Sequence, residues 1–289
     1  MGVKISRQSS LGVGALFGLG MGAMAPATWA DAQTAISGCP YTITAPGSYI
    51  LTKNLTSAGT CIMIEVSNVT IDLQGYTITG NGTGNAITDG GNNDHDMVIA
   101  NGTIQHFGLA ILANQSHPVT ISGMTVQKNA GSQTIALFSA TVFGSKIDDN
   151  AGAGIVINGD EPSAIVNSEV SRNAGQGIVT LSGPTIVANS EVNDNALGGI
   201  ALSVCCGIPT PGNQVIETQA NGNGGNGIDL SAEAGNSVIG STAQRNAGTG
   251  IILACPGGAI SNTARHNGSG NLVEIPDSAT CANIGNAAP

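Results

Sequence analysis

"NAGAGIVI" at residues 150–157 returns as "NAGQGIVT" from Asn173, "NALGGIAL" from Asn195, "NGGNGIDL" from Asn223 and "NAGTGIIL" from Asn246. A looser copy, "NAGSQTIAL", starts at Asn129, and a decayed one, "NGSGNLVE", at Asn267. Successive starts are 21, 23, 22, 28, 23 and 21 residues apart. Self-similarity on this scale marks a stack of supersecondary units, each burying the apolar face of its neighbour.

Each unit carries three short apolar segments. The first follows the glycine (Ile87, Ile111, Ile135, Ile155, Ile178, Ile200, Ile228, Ile251). The second is Val98, Val119, Val142, Ile165, Ile186, Val215, Val238, Ile260, and the third includes Ile78, Ile104, Val126, Ile147, Val170 and Val192. Alternation such as "SEVSRN" and "GTIQHF", with Gly, Asn, Ser or Pro between segments, reads as strand–turn–strand–turn–strand, and no segment has a convincing 3.6-residue period. Three strands in about 22 residues form one rung of an all-β solenoid. Like strands pair in parallel about 4.8 Å apart, roughly ten rungs in all. Asparagine recurs at one corner because its amide can bond the same amide on the next rung.

The 289 residues carry a net charge of −10, with 9% charged residues, 3% aromatics and 43 glycines. Residues 1–32 read as an export signal: Lys4 and Arg7, then the apolar "LGVGALFGLGMGAMA", then "ATWADA", with cleavage after Ala30 or Ala32. That run is too short and glycine-rich for a convincing membrane span, and no other stretch could serve. The expected location is secreted or periplasmic. Six basic residues follow the signal: Lys53, Lys128, Lys146, Arg172, Arg245 and Arg265. So acidic a chain argues against nucleic acid and anionic membranes as partners. No tryptophan follows residue 32, which argues against a long aromatic platform for glycans.

"NVTIDLQGYTITG" (68–80), "MVIANGTIQHFGLAI" (97–111) and the "NAGxGI" corners resemble the right-handed parallel β-helix proteins of the pectin-lyase-like superfamily, over roughly residues 62–275. The resemblance implies residues 33–61 as an N-terminal capping segment and 62–289 as the helix with its C-terminal cap. It also implies a carbohydrate-associated role, because the superfamily includes pectate lyases, polygalacturonases, alginate epimerases and phage tailspikes. "KIDDN" (146–150) echoes the paired aspartates of polygalacturonases without their companion motifs, so that activity is not carried over. Asp148 and Asp149, adjacent in sequence, are expected to diverge.

Rung stacking makes demands on the cysteines. Cys39 and Cys61 are 22 residues apart, one rung, which suits a disulfide. Cys255 and Cys281, 26 apart, are candidates for a second. Cys205–Cys206 would then be a strained vicinal pair, with Cys206–Cys255 as the alternative.

Two polar features compete for a function. The residue before each ladder asparagine is Lys128, Asp149, Arg172, Asp194, Gly222, Arg245 and His266. Stacked in register, these make a column of alternating sign with Asp149 and Asp194 flanking Arg172, an ion-pair ladder rather than a catalytic dyad. The turn between first and second strands is the variable one, where such scaffolds place function. It contains Asp89, "NNDHD" (92–96) and, one period later, His117. The plain reading is a capped polar turn. The second is a cation site, with Asp89, Asp94 and Asp96, plus Asn92 or Asn93, offering oxygens to Ca²⁺, or His95 and His117 with a carboxylate suiting a transition metal. The third is acid–base chemistry, with His95 as acid or base, Asp94 or Asp96 orienting it and His117 as partner. "NDHD" matches the last two positions of the Asp-Pro-His-Asp motif of alginate epimerases, which implies uronate lyase or epimerase chemistry if the chain is an enzyme. The expectation is an exported protein that binds or processes a polysaccharide or cell-surface glycan, against the alternative of a non-catalytic structural or adhesive solenoid. Oligomeric state is not readable.

Overall fold

The structure, a computed structural model, describes residues 33–90, 96–115, 118–202, 212–275 and 281–289. Among these, every regular element is a strand. One rung comprises Ala153–Ile157, Ser163–Val166 and Glu169–Ser171, and the next begins at Ile178–Thr180. Each strand pairs in parallel with its counterpart one rung on: Ile155 with Ile178, Ile165 with Val187, Ile147 with Val170. First strands form an 11-stranded sheet. Second and third strands share a larger sheet, because in early rungs one strand, such as Val119–Gln127, runs through both. Strands before residue 61 already pair in register with the next rung, as Tyr41 does with Ile62.

The bore is filled by stacked aliphatic columns. The first-strand isoleucines from Ile87 to Ile251 and the third-strand residues from Ile78 to Val192 are buried. Each full burial of such a side chain is worth about 1.5–3 kcal/mol. The second-strand column is one residue out of phase with the sequence reading at three positions. Ile99, Val187 and Ala259 point inward and are fully buried, whereas Val98, Ile186 and Ile260 point outward. Alternation cannot fix the phase where both neighbours are apolar, as in "IV" and "AI".

Two corners are held by side-chain ladders. At the corner entering the first strand, each asparagine oxygen accepts the backbone and side-chain N–H of the asparagine one rung earlier. The chain runs from Asn129 through Asn150, Asn173, Asn195, Asn223 and Asn246 to Asn267. From Gly154 to Gly250 the glycine before the first-strand isoleucine makes room for this ladder: a Cβ on Gly177 would lie 2.5 Å from Val192 and 2.7 Å from the Asn195 amide. A second ladder, unread in the sequence, holds the corner between second and third strands. Ser145, Ser168, Ser190, Thr218 and Ser241 each accept the backbone N–H of the previous ladder residue, and Asn262 and Asn286 continue the series.

The disulfides Cys39–Cys61 and Cys255–Cys281 form as spaced, with Cα–Cα distances of 4.7 and 5.1 Å. The second removes the alternative of a Cys206–Cys255 bond. Cys205, Cys206 and residues 1–32 lie outside the described residues.

Candidate functional site

The corner between first and second strands is built on paired anchors. Thr88 pairs with Leu112 before the corner, and Met97 with Val119 after it. The two loops therefore start and finish in register, one rung apart. His95 and His117 each stand two residues before the Met97–Val119 pair in sequence; with Asp94, both lie outside the described residues. Asp89 is buried, 8% exposed, at the end of its strand. Its Oδ2 accepts the backbone N–H of Gln115 at 2.8 Å, tying the first loop to the second. Asp96 is exposed, and its carbonyl accepts the N–H of Val69 one rung earlier. Of the two described members of the expected cation set, one is thus engaged in backbone capping and the other is at the surface. Among the described residues the grouping of three close metal-type ligands is Cys255, Glu274 and Cys281, whose sulfurs are joined in a disulfide.

The charged column forms as a column. His106, Lys128, Asp149, Arg172, Asp194, Gly222, Arg245 and His266 all take positive φ, between 55° and 68°, at the turn into the asparagine corner. His106 is exposed there. The alternating ladder is only partly realised. Arg172 Nε donates to Asp149 Oδ1 at 3.0 Å, on the previous rung. Asp194 leans the other way: its Oδ1 lies over Gly222, 2.2 Å from where a Cβ would stand.

Asp148 and Asp149 converge, contrary to the sequence expectation. Arg172 also donates to Asp148 Oδ2 at 2.5 Å. In an extended strand the two side chains would point to opposite faces. The left-handed backbone of Asp149, φ 55°, breaks that alternation and brings both to one cation. Lys146 lies 2.5 Å from Glu169 and 3.4 Å from Asp148, and Glu169 is 3.7 Å from Arg172. The Glu169 hydrogen bond foremost, with Asp148 and Glu169 charges adding, holds the Lys146 ammonium above its ordinary range. The Asp149 hydrogen bond foremost does the same for Arg172. Asp148 is 4% exposed and its Oδ1 has no hydrogen-bond partner. Lys146, Asp148 and Glu169 were not read as one cluster from sequence. The usable signal is the outward third-strand register, which pairs Lys146 with Glu169 and Asp148 with Ser171. A hollow of about 410 Å³ opens beside this cluster, between Lys128, Asp149 and Arg172.

A family model described as a right-handed beta helix region matches residues 47–187 and 163–286. No curated protein matches the chain. Among solved structures, the A-module of Azotobacter vinelandii mannuronan C-5 epimerase AlgE4 is similar at 14% identity and a TM-score of 0.62, over 77% of this chain and 70% of that one. The A-module of AlgE6 from the same organism gives 12% and 0.54, over 90% and 89%. The Dettilon tailspike protein gives 17% and 0.58, over 88% of this chain and 58% of that one. At these identities the likeness is one of fold.

Proposed function

The chain belongs to the right-handed β-helix family, and from that premise we propose that it is an exported protein that binds or processes a polysaccharide at the corner between its first and second strands. The observation that carries the reading is the Asp89–Gln115 bond, which couples the loop leading to His95 to the loop leading to His117. Two similar structures are modules of mannuronan C-5 epimerases, so a uronan heads the substrates to test. In this reading His95 takes the C5 proton of a uronate, Asp94 or Asp96 orients it, and His117 is its partner. Return of a proton to the opposite face gives the epimer, and cleavage of the C4–O bond gives a lyase product. Ca²⁺ held by Asp94 and Asp96, with Asp89 beside them, would offset the uronate charge.

The test is mass-spectrometric screening of polymannuronate, alginate, pectin and neutral glycans, with and without Ca²⁺. Turnover lost in His95→Ala supports the reading. Neither binding nor turnover on any glycan overturns it. A non-catalytic module is the second reading. It is favoured by the outward column of the first strands, where Leu112, Val156, Val179, Ala201 and Ile252 surround a single charge, Asp229. Glycan binding without turnover would select it.

A further inference from the structure

The second-strand sheet changes character along the solenoid. In the early rungs its outward column reads Asp72, Ala100, Ser122. From Phe143 the same column is apolar for seven consecutive rungs, through Val166, Ile216, Ile239 and Ile260 to Ile284. Phe143 is 49% exposed, Ile284 60%, and neighbouring Ile186 40%. None of these side chains fills the bore, so their apolarity serves nothing inside the rung. The aliphatic residues repeat at the rung spacing of about 4.8 Å, making a stripe on the order of 30 Å long.

We propose that this face is a self-association surface and that its occupant is a second copy of the chain. Three features favour that occupant. The first is charge. The chain carries −10 overall, which opposes contact between copies wherever its acidic residues lie. Across the seven rungs, the outward positions of these strands and the corner residue after each contain one charged side chain, Glu217. Two acidic copies can approach here without stacking like charges. The second is shape. A sheet face with a constant rung repeat is complementary to itself, as a two-fold contact requires: with the axis along the solenoid, each rung meets the same rung of its partner. The third is area. The seven apolar rungs, roughly 30 Å by 13 Å, bury about 800 Å² in total for a pair, the size of a weak, reversible contact rather than an obligate one.

The test is sedimentation equilibrium of the exported chain between about 1 and 100 µM, in low and high salt. A dimer that persists or tightens in high salt is expected, because salt screens the acidic repulsion and leaves apolar contact intact. Ile216→Asp/Ile239→Asp, both outward, should weaken dimerisation at least 30-fold with an unchanged far-ultraviolet circular dichroism spectrum. Thr125→Asp, on the outward side of a third strand, should not weaken it. A wild-type monomer at every concentration and salt overturns the proposal. So does a dimer unaffected by the double substitution, or a monomer that gains mass only when glycan is added.

Discussion

Arg172 is bound to Asp149 on the rung before it, Nε to Oδ1 at 3.0 Å, while Asp194 on the rung after it turns towards Gly222. The same guanidinium reaches Asp148, whose side chain is 4% exposed. The two aspartates should therefore respond differently to loss of Arg172. Asp149 and Arg172 are each 45% exposed, and their pair is screened by solvent, so Asp149→Asn should cost about 0–1 kcal/mol. Arg172→Ala leaves a buried carboxylate facing Lys146 alone at 3.4 Å and should cost about 1–3 kcal/mol. Thermal melts of the two variants check the order. Equal, negligible shifts would mean Asp148 is not held by Arg172.

Lys146 predicts a pH effect. Its folded pKa is raised above 10.5 by Glu169 and Asp148, so the folded state holds the proton more tightly than the unfolded chain. Its contribution is fully present below 10.5 and is lost as pH rises through the folded value. The difference in melting temperature between wild type and Lys146→Gln should be constant from pH 7 to 10 and shrink above 10.5. A difference that stayed constant above 10.5 would count against a Lys146 ammonium held by Glu169 and Asp148.

Asn173 tests the asparagine corner. Its oxygen accepts Asn150 N and Nδ2 at 3.2 and 2.9 Å, and its amide donates to Ile147 O and Asn195 Oδ1 at 3.1 and 3.0 Å. Asn173→Ala leaves several buried groups without partners, each costing about 1–3 kcal/mol. Asn267 makes the same set of bonds, with Asn271 in place of a next-rung asparagine, but is partly exposed, so replacing it should cost less, about 1 kcal/mol. Hydrogen exchange at the Asn150 and Asn173 rungs localises the loss. Equal effects at Asn173 and Asn267 would show that the ladder adds nothing beyond each residue's own bonds.

The asparagine ladder and the first-strand isoleucine column were legible because Asn and Ile stand at fixed places in each copy, and the third-strand column because its neighbours are polar. The serine–threonine ladder was not, because Ser190 and Thr218 differ from one another and hydroxyl residues are common throughout the repeat. The positive-φ residue before each ladder position, Asn167, Asn189, Glu217 and Ser261 among them, varies too freely to announce a corner. The second-strand phase failed at Val98, Ile186 and Ile260 because apolar residues occupy both faces there. At the variable corner, sequence supplied the chemistry of His95 and His117. The tie between their loops rests on Asp89 and a backbone amide, which no residue pattern reveals.

Asp89 separates the two roles open to it. As a positioning residue it acts through Oδ2, which accepts the Gln115 N–H at 2.8 Å. An asparagine can still accept that bond through its amide oxygen, whereas a leucine cannot. Asp89→Asn should therefore keep glycan binding or turnover near wild type, and Asp89→Leu should lower it on the order of 100-fold, as expected when a site is displaced by about an ångström. As a Ca²⁺ ligand Asp89 would behave otherwise. The asparagine variant would lose charge at the ion, and glycan turnover would need more Ca²⁺ to saturate. Titrating Ca²⁺ against turnover in both variants decides between them. An unchanged Ca²⁺ requirement in Asp89→Asn, with loss confined to Asp89→Leu, leaves Asp89 as the residue that holds the two loops together.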